Sequence, residues 1–194
     1  ISKLFEMINE TTEEAFNLLE NLLRWTRNQN GKTKIYATLF NLTPVARQVV
    51  SLFSAIANAK EIELINRIEG KFDIFADEDM IKTVLRNLIS NAIKFTYTGG
   101  QVELSLADSG DYWTIYVKDN GKGIPKDLQA HLLKSDEYIT TYGTHNEKGS
   151  GLGLILCRDF IRMNKGKLHF YSQEGIGTTF YFTIPKASSS AEAV

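Results

Sequence analysis

The sequence predicts an α+β fold in which one long helix precedes a domain built from a mixed β-sheet packed on helices. Two observations support this prediction. Apolar residues recur at three- and four-residue steps through residues 2–29, and no glycine or proline interrupts them before Gly31. Beyond Gly31, short stretches with the alternation of strands are interleaved with longer stretches that have helical periodicity.

The first helix carries an apolar stripe that it cannot bury alone. The stripe consists of Ile1, Leu4, Ile8, Ala15, Leu18, Leu22 and Trp25. Such a stripe is typical of a helix in a bundle or coiled coil, so we expect a partner helix from a second chain or from preceding sequence. The chain begins with Ile1 inside this pattern, and we therefore expect it to be part of a longer protein.

The segment after Gly31 is expected to alternate between strands and helices. The expected elements are a strand over 34–42, a helix over 43–59, strands over 62–68 and 73–76, and a helix over 77–95. Thr43 is expected as an N-cap, with Pro44 at the first helical position. In the last of these helices the apolar positions are Ile81, Leu85, Leu88, Ile89 and Ala92, which share one face.

The second half of the chain is expected to complete the sheet around a long loop. The expected elements are strands over 101–107 and 112–118, a loop region over 119–150, a helix over 151–164, and strands over 167–172 and 178–184. Loops as long as 119–150 are usually functional and often act as lids. The final residues, 187–194, are expected to form a disordered tail.

The composition excludes several classes of function. The formal net charge is -1 over 194 residues, which provides no electrostatic basis for binding nucleic acid or an anionic membrane. No apolar run approaches the roughly 20 residues needed to cross a bilayer. Cys157 is the single cysteine, so no internal disulfide can form, and we expect a reducing, cytoplasmic location.

The stretch RNLISNAIKFT, residues 86–96, has a polar face whose chemistry suits a metal and a phosphate. Asn87, Asn91 and Lys94 lie at i, i+4 and i+7 of the expected helix, and therefore on one side. Asparagine oxygens are suitable ligands for Mg²⁺, which takes its other oxygens from water and phosphates. A lysine beside them can meet phosphate charge. The alternative is a solvated polar face without a ligand.

The stretch DNGKGIP, residues 119–125, places a carboxylate where a strand ends. Asp119 could accept a hydrogen bond from an exocyclic amino group, and Gly121 and Gly123 allow a close backbone approach or a positive φ. The alternative is a plain hairpin turn, because Asn-Gly is itself a strong turn signal.

Two later stretches add further glycines. GSGLGL, residues 149–154, opens a helix with free backbone N–H groups, which is a ready anion site; the alternative is a flexible loop. It fits neither the Rossmann nor the P-loop pattern, because it does not follow a strand in a βαβ unit and lacks the Gly-Lys-Ser/Thr ending. In GIGTTFYFTIP, residues 175–185, the Thr179 hydroxyl could bond a base or a water, although threonine is also common in strands.

The order and spacing of these four motifs resemble the ATP-binding domain of sensor histidine kinases. The resemblance covers residues 2–185 and implies a two-layer α/β sandwich of the Bergerat type, shared with gyrase, a heat-shock chaperone and mismatch-repair ATPases. The first helix resembles the second helix of the dimerisation and phosphoacceptor hairpin. The implied organisation is an incomplete hairpin over 1–31, an ATP-binding domain over 32–186 and a tail over 187–194.

The resemblance also implies roles for individual residues toward ATP and Mg²⁺. Asn87 and Asn91 match the Mg²⁺ ligands, and together with Lys94, which contacts phosphate, they form the implied catalytic set. The implied adenine contacts are Phe95, Asp119, Gly121, Gly123, Ile124 and Thr179. The implied phosphate contacts are Lys148, Gly149, Gly151, Leu152, Gly153 and Leu154.

The resemblance implies transfer of the ATP γ-phosphoryl group to a histidine, with onward relay to a response regulator receiver domain, in a protein that dimerises through its first helix. The acceptor histidine is not matched by His131, His145 or His169, so this chain is expected to be unable to phosphorylate itself. The lid also lacks the usual Phe-x-Pro-Phe pair.

Two alternatives remain. An ATP-hydrolysing clamp of the same fold would carry a glutamate base at the position of Asn87. A degenerate, non-catalytic interaction module would have lost the glycine motifs, which are intact here.

Overall fold

The computed structural model describes residues 34–132, 142–145 and 151–187. The expected first helix lies outside the described residues, as does the tail from residue 188 onward. The elements are β1 (Thr38–Asn41), α1 (Leu42–Ala59), β2 (Glu63–Asn66), β3 (Asp73–Ala76), α2 (Glu78–Phe95), β4 (Gln101–Ser109), β5 (Tyr112–Asp119), α3 (Lys126–Gln129), α4 (Gly153–Met163), β6 (Leu168–Gln173) and β7 (Gly177–Pro185).

Five strands form a mixed sheet in the order β2-β4-β5-β7-β6. The β2–β4 pair is parallel, and the three other pairs are antiparallel. Strands β1 and β3 form a separate antiparallel pair, which a single bridge between Ile74 and Lys186 connects to the residue after β7.

The core lies between one face of the large sheet and the helices. Its sheet side is formed by alternate residues of β4, β5 and β7, namely Val102, Leu104, Ile115, Val117, Phe180, Phe182 and Ile184. Its helix side includes Val45 and Val49 of α1, the predicted apolar stripe of α2, and Leu156 and Phe160 of α4. This arrangement confirms the expected two-layer α/β sandwich. None of the helices in the described ranges combines the length and the hydrophobicity of a membrane span.

The start of α1 differs from the prediction. Asn41, not Thr43, is the N-cap, and its Oδ1 accepts hydrogen bonds from the N–H groups of Thr43 and Phe72, both at 3.1 Å. The Thr43 hydroxyl instead donates to the carbonyl of Gly70 at 2.7 Å. The expected N-cap at Thr43 was wrong because asparagine satisfies two separate backbone donors at this corner.

Two differences concern the region around the expected lid. The helix α4 begins at Gly153, two residues later than predicted, because Gly151 has φ +72°, which is incompatible with a right-handed helix. A short helix, α3, lies inside the expected loop region and starts after Pro125. Gln129 secures it by donating from Nε2 to the carbonyl of Ile124 at 2.6 Å.

A buried polar cluster joins the start of α2 to the end of α4. Asp77 caps α2 by accepting from the Met80 N–H, and its second oxygen accepts from the Tyr36 N–H. Asn164, 3% exposed, accepts from the Asp77 N–H at 2.7 Å and donates to the carbonyl of Phe160. The side chain of Asn164 therefore fixes the relative position of the two helices that carry the polar motifs.

We predict that Asn164→Ala lowers the free energy of unfolding by about 2 kcal/mol, because the buried N–H of Asp77 loses its acceptor. Chemical denaturation monitored by circular dichroism measures this change. Asn58→Ala, at an exposed position of α1, is the control and should stay within about 0.5 kcal/mol of the unmodified chain. Equal stability of the two variants would contradict the role assigned to Asn164.

Candidate functional site

The polar face predicted for α2 is present in its C-terminal half. Asn87, Asn91 and Lys94 are all partly buried, on the side away from the apolar stripe. Asn87 donates from Nδ2 to the carbonyl of Thr83 at 2.9 Å, which leaves its amide oxygen directed away from the helix. No other described residue hydrogen bonds the side chain of Asn91.

The first residue of α4 lies directly against Asn87. A Cβ atom built on Gly153 would be 2.6 Å from Asn87 Oδ1, so only glycine allows this close approach. The two predicted motifs therefore meet in space. No side chain of the described residues caps α4, and the positive end of the helix dipole would favour an anion at this position.

Gly151, Leu152, Gly153 and Leu154 form this approach to α4. Gly151 makes the turn with its positive φ, and Leu152 is buried while Leu154 packs at the edge of the core. Lys148 and Gly149, which were predicted to contact the phosphates, lie outside the described residues.

Asp119 is the last residue of β5 and is 7% exposed. Its Oδ1 accepts from the N–H of Gly121 at 2.9 Å and from the N–H of Thr178 at 3.1 Å. Within the described ranges, Oδ2 has no hydrogen-bond partner. The carboxylate is therefore held rigidly through one oxygen and presents the other.

Burial raises the pKa of Asp119 from 3.8 to about 6, because desolvation disfavours the charged form. The hydrogen bonds from Gly121 and Thr178 act in the opposite direction and lower the pKa. Desolvation is the larger effect. A raised pKa in a carboxylate that faces a cleft is typical of a functional site.

The glycines after Asp119 are required by close backbone contacts. A Cβ on Gly121 would lie 2.1 Å from the carbonyl oxygen of Phe95, and one on Gly123 would lie 2.0 Å from that of Gln173. The loop is thus wedged between the end of α2 and the end of β6. Ile124 follows it, partly buried against the core, with its N–H donating to Ser172 Oγ at 2.9 Å.

Thr178, the residue before the predicted Thr179, contacts Asp119 through its backbone N–H. Side chains alternate along β7, so Thr178 shares the inner face with Phe180, while Thr179 lies on the outer face with Tyr181. Thr178 Oγ1 lies 2.9 Å from Ser172 Oγ. The buried Phe180 could have identified Thr178 from the sequence, because residues two apart in a strand face the same side.

Phe95 ends α2 and lies between two ammonium groups. Lys94 Nζ is 5.3 Å, and Lys122 Nζ 4.9 Å, from the centroid of its ring. Lys122 also donates from Nζ to the carbonyl of Tyr142 at 2.6 Å. No sequence pattern indicated Lys122, which lies between two glycines of a turn motif and contacts Phe95 only in the folded chain.

Thr144, which follows the expected lid, lies at the same end of α2 as Phe95. Thr144 donates from both its N–H and its hydroxyl to the carbonyl of Lys94, each at 3.1 Å, and its hydroxyl also contacts the carbonyl of Thr96 at 2.9 Å. The loop after Asp119, the return of the lid and the start of α4 therefore all contact the C-terminal half of α2, and the region that they border is called the cleft below.

The residues in the cleft suit Mg²⁺ only in combination with a ligand that supplies oxygens. The described residues contain no group of three or more His, Cys, Asp or Glu that could hold a metal. Asn87 and Asn91 offer neutral amide oxygens, which are acceptable ligands for Mg²⁺ when phosphates and waters complete its octahedron.

Comparison with known families identifies the domain. The family described as "Histidine kinase-, DNA gyrase B-, and HSP90-like ATPase" matches residues 76–188, which contain all four motifs. Among curated proteins, the circadian input-output histidine kinase CikA of Synechococcus elongatus is 31% identical over 182 residues, covering 92% of this chain and 24% of the relative. The chain spans no more than about half the length of the curated relatives it matches.

Solved structures agree with this assignment. The catalytic domain of histidine kinase ThkA, in a nucleotide-free form, is 31% identical and matches with a TM-score of 0.67, covering 78% of this chain and 96% of that domain. ThkA in complex with the response regulator TrrA is 26% identical, with a TM-score of 0.71, covering 96% of this chain and 52% of ThkA. The chain therefore belongs to the histidine kinase-, DNA gyrase B- and HSP90-like ATPase family, and it carries the ATP-binding catalytic domain of a histidine kinase.

Proposed function

We propose that this domain binds Mg·ATP in the cleft at the end of α2 and presents the γ-phosphoryl group to a histidine on a helix outside this chain. The observation that supports the proposal is the convergence of Asp119, the polar face of α2 and the start of α4 on one cleft. In the transfer, the bond between the γ-phosphorus and the bridging oxygen breaks, a bond to the imidazole nitrogen forms, and ADP leaves.

In this proposal, one end of the cleft binds the adenine and the other end binds the phosphates. Asp119 Oδ2 accepts a hydrogen bond from the adenine amino group, and Phe95 with Ile124, Gly121 and Gly123 shapes the adenine pocket. Thr178 replaces Thr179 as the hydroxyl close to the base. Lys94 and the N–H groups at the start of α4 bind the phosphates, in the region where Lys148 and Gly149 are also expected.

Asn87 and Asn91 would hold Mg²⁺ between the helix and the phosphates. When bound, the metal neutralises charge on the β- and γ-phosphates, which phosphoryl transfer requires. The amide of Asn87 cannot accept a proton, so the domain lacks a base at this position to activate water, and this disfavours the hydrolytic clamp. A neutral imidazole attacks through the lone pair of its unprotonated nitrogen, so no base has to remove a proton before the attack.

We further propose how the domain is used in the parent protein. Residues 1–31 form the second helix of a dimerisation hairpin, 32–186 form the catalytic domain, and 187–194 form a tail. The predicted stripe of the first helix supports a homodimer. The response regulator that is bound to ThkA supports a receiver domain as the final phosphoryl acceptor. A domain that consumes ATP is expected in the cytoplasm.

We predict that Asp119→Asn weakens binding of ATP and ADP roughly ten- to a hundredfold, as expected for the loss of one hydrogen bond to a charged group. The N–H groups of Gly121 and Thr178 hold the amide oxygen in place of Oδ1, so the amide NH₂ faces the adenine amino group, donor against donor. Titration calorimetry measures the affinity. Unchanged affinity together with a normal melting curve would show that the adenine contact is misassigned.

Nucleotide affinity is predicted to fall as the pH drops below about 6, the raised pKa of Asp119. The bound adenine favours the charged carboxylate, so affinity is fully present above this pKa and decreases with protonation below it. Asp119→Asn is the control, because titration of the nucleotide phosphates affects both proteins equally. Identical pH profiles for the two proteins would contradict the assignment.

We predict that the chain incubated with Mg²⁺ and [γ-³²P]ATP stays unlabelled, and that acid-labile label appears on a separate fragment of the parent protein that carries the acceptor histidine. Asn91→Ala should lower the initial rate of transfer at least tenfold, because a metal ligand is lost, whereas Ser90→Ala, on the exposed side of α2, should leave it unchanged.

Two results would contradict this proposal. Acid-labile label on the chain itself would show that it contains an acceptor. Sustained release of phosphate without an acceptor fragment would favour the hydrolytic clamp.

A further inference from the structure

The last turn of α2 is stabilised entirely by groups outside the regular helix. The final carbonyls of a helix have no partners within it. Here the carbonyl of Ala92 accepts from the N–H and hydroxyl of Thr96, at 3.0 and 2.6 Å, and that of Phe95 accepts from the N–H of Lys122 at 3.0 Å. The two carbonyls between them, of Ile93 and Lys94, are reached by a buried lysine.

This lysine is Lys60, the C-cap residue that directly follows α1. It is 7% exposed, and its Nζ donates to the carbonyls of Ile93 and Lys94, each at 3.0 Å. A buried ammonium is costly unless it is well solvated by protein groups. The negative end of the α2 dipole supplies such an environment, because cations are favoured at helix C-termini.

The carbonyl of Lys94 is shared between Lys60 and the lid. It accepts from Lys60 Nζ and also from the N–H and hydroxyl of Thr144. The ammonium therefore fixes both the turn that carries the Lys94 side chain and the backbone atom to which the lid returns.

We propose that Lys60 is a positioning residue for the phosphate end of the nucleotide site. Without its ammonium, the carbonyls of Ile93 and Lys94 lose a buried donor, the last turn of α2 shifts to find other partners, and Lys94 and Thr144 move with it. The Asp119 carboxylate is held by the N–H groups of Gly121 and Thr178, which lie outside α2, so its contact with the base is kept. Phe95 belongs to the turn that shifts, so adenosine affinity is expected to fall less than Mg·ATP affinity rather than to stay unchanged. The inference rests on the proposed nucleotide site.

The test compares Lys60→Met, which keeps most of the side-chain volume and removes the charge, with the unmodified 194-residue chain. Calorimetry measures the affinities for Mg·ATP and for adenosine, well below the melting temperature. We expect Mg·ATP affinity to fall at least fivefold and adenosine affinity to change less than twofold. The Thr144 amide should exchange with solvent at least tenfold faster.

The matched control is Thr43→Val, which removes a buried hydroxyl that donates to the carbonyl of Gly70 at the opposite end of α1, about 25 Å from Lys60 along the helix. It is expected to destabilise the domain without changing the ratio of the two affinities. Lys60→Arg, which keeps a cation at this position, should restore part of the Mg·ATP affinity.

Thr144→Val provides a second route to the same conclusion, because it removes only the lid hydroxyl from a half-buried position. We expect a smaller but equally selective loss of Mg·ATP affinity, and a loss in the double variant that is less than the product of the two single losses. This variant keeps the test decisive if Lys60→Met does not fold.

Three results would overturn the inference. One is a loss of adenosine affinity as large as the loss of Mg·ATP affinity in Lys60→Met. Another is a Thr43→Val variant with the same selectivity. The third is a Thr144→Val variant that binds Mg·ATP normally. An unmodified chain that binds no Mg·ATP would overturn the proposed function as well, whereas normal binding with equal losses would overturn only the role of Lys60.

Discussion

The arrangement of the cleft depends on the hydrogen bonds made by the carbonyls at the C-terminal end of α2. The helix α2 supplies the largest apolar stripe of the core and also the polar face of the cleft, so its position is constrained from both sides. Its last carbonyls are bound by the end of α1, the loop after Asp119 and the return of the lid. Because helix termini must find partners, this one requirement brings three sequence-distant segments to the same place. The cleft forms because the terminal carbonyls of α2 require hydrogen-bond donors from other segments.

Asp119, the proposed adenine contact, lowers the stability of the domain at neutral pH. A carboxylate with its pKa raised from 3.8 to about 6 prefers to be neutral, so the native state of the free protein holds the proton more tightly than the unfolded chain does. The stability that this proton contributes is present at low pH and is lost as the pH rises from 3.8 toward 6. Ionisation of Asp119 at neutral pH therefore costs on the order of 3 kcal/mol. A ligand that donates a hydrogen bond to Oδ2 recovers part of this cost, which links folding to binding.

The order of elements and the position of the polar motifs could be predicted from the sequence because they depend on local periodicity. The stripe of α2 and the strand β3 have the predicted bounds within one residue.

The errors arose where tertiary contacts or backbone conformation outweigh local preference. Asn41 replaces Thr43 as the N-cap because it also binds Phe72, and α4 starts later than predicted because Gly151 has a positive φ. Lys60, Lys122 and Thr144 could not be found from the sequence, since their partners are backbone carbonyls 20 to 50 residues away, which carry no side-chain signature. The position of Thr178 on the inner face could have been inferred by extending the alternation of β7 back from Phe180.

The most direct test of the account is to map backbone amide chemical shifts of the chain as Mg²⁺ and a non-hydrolysable ATP analogue are added. If one cleft binds the nucleotide, the large shifts will fall together in residues 87–96, 119–124, 142–145, 151–155 and 177–179. They will leave the outer face of the sheet, including Tyr116, His169 and Tyr181, unchanged. Large shifts on that outer face, or no shifts in the segments around the end of α2, would contradict the account.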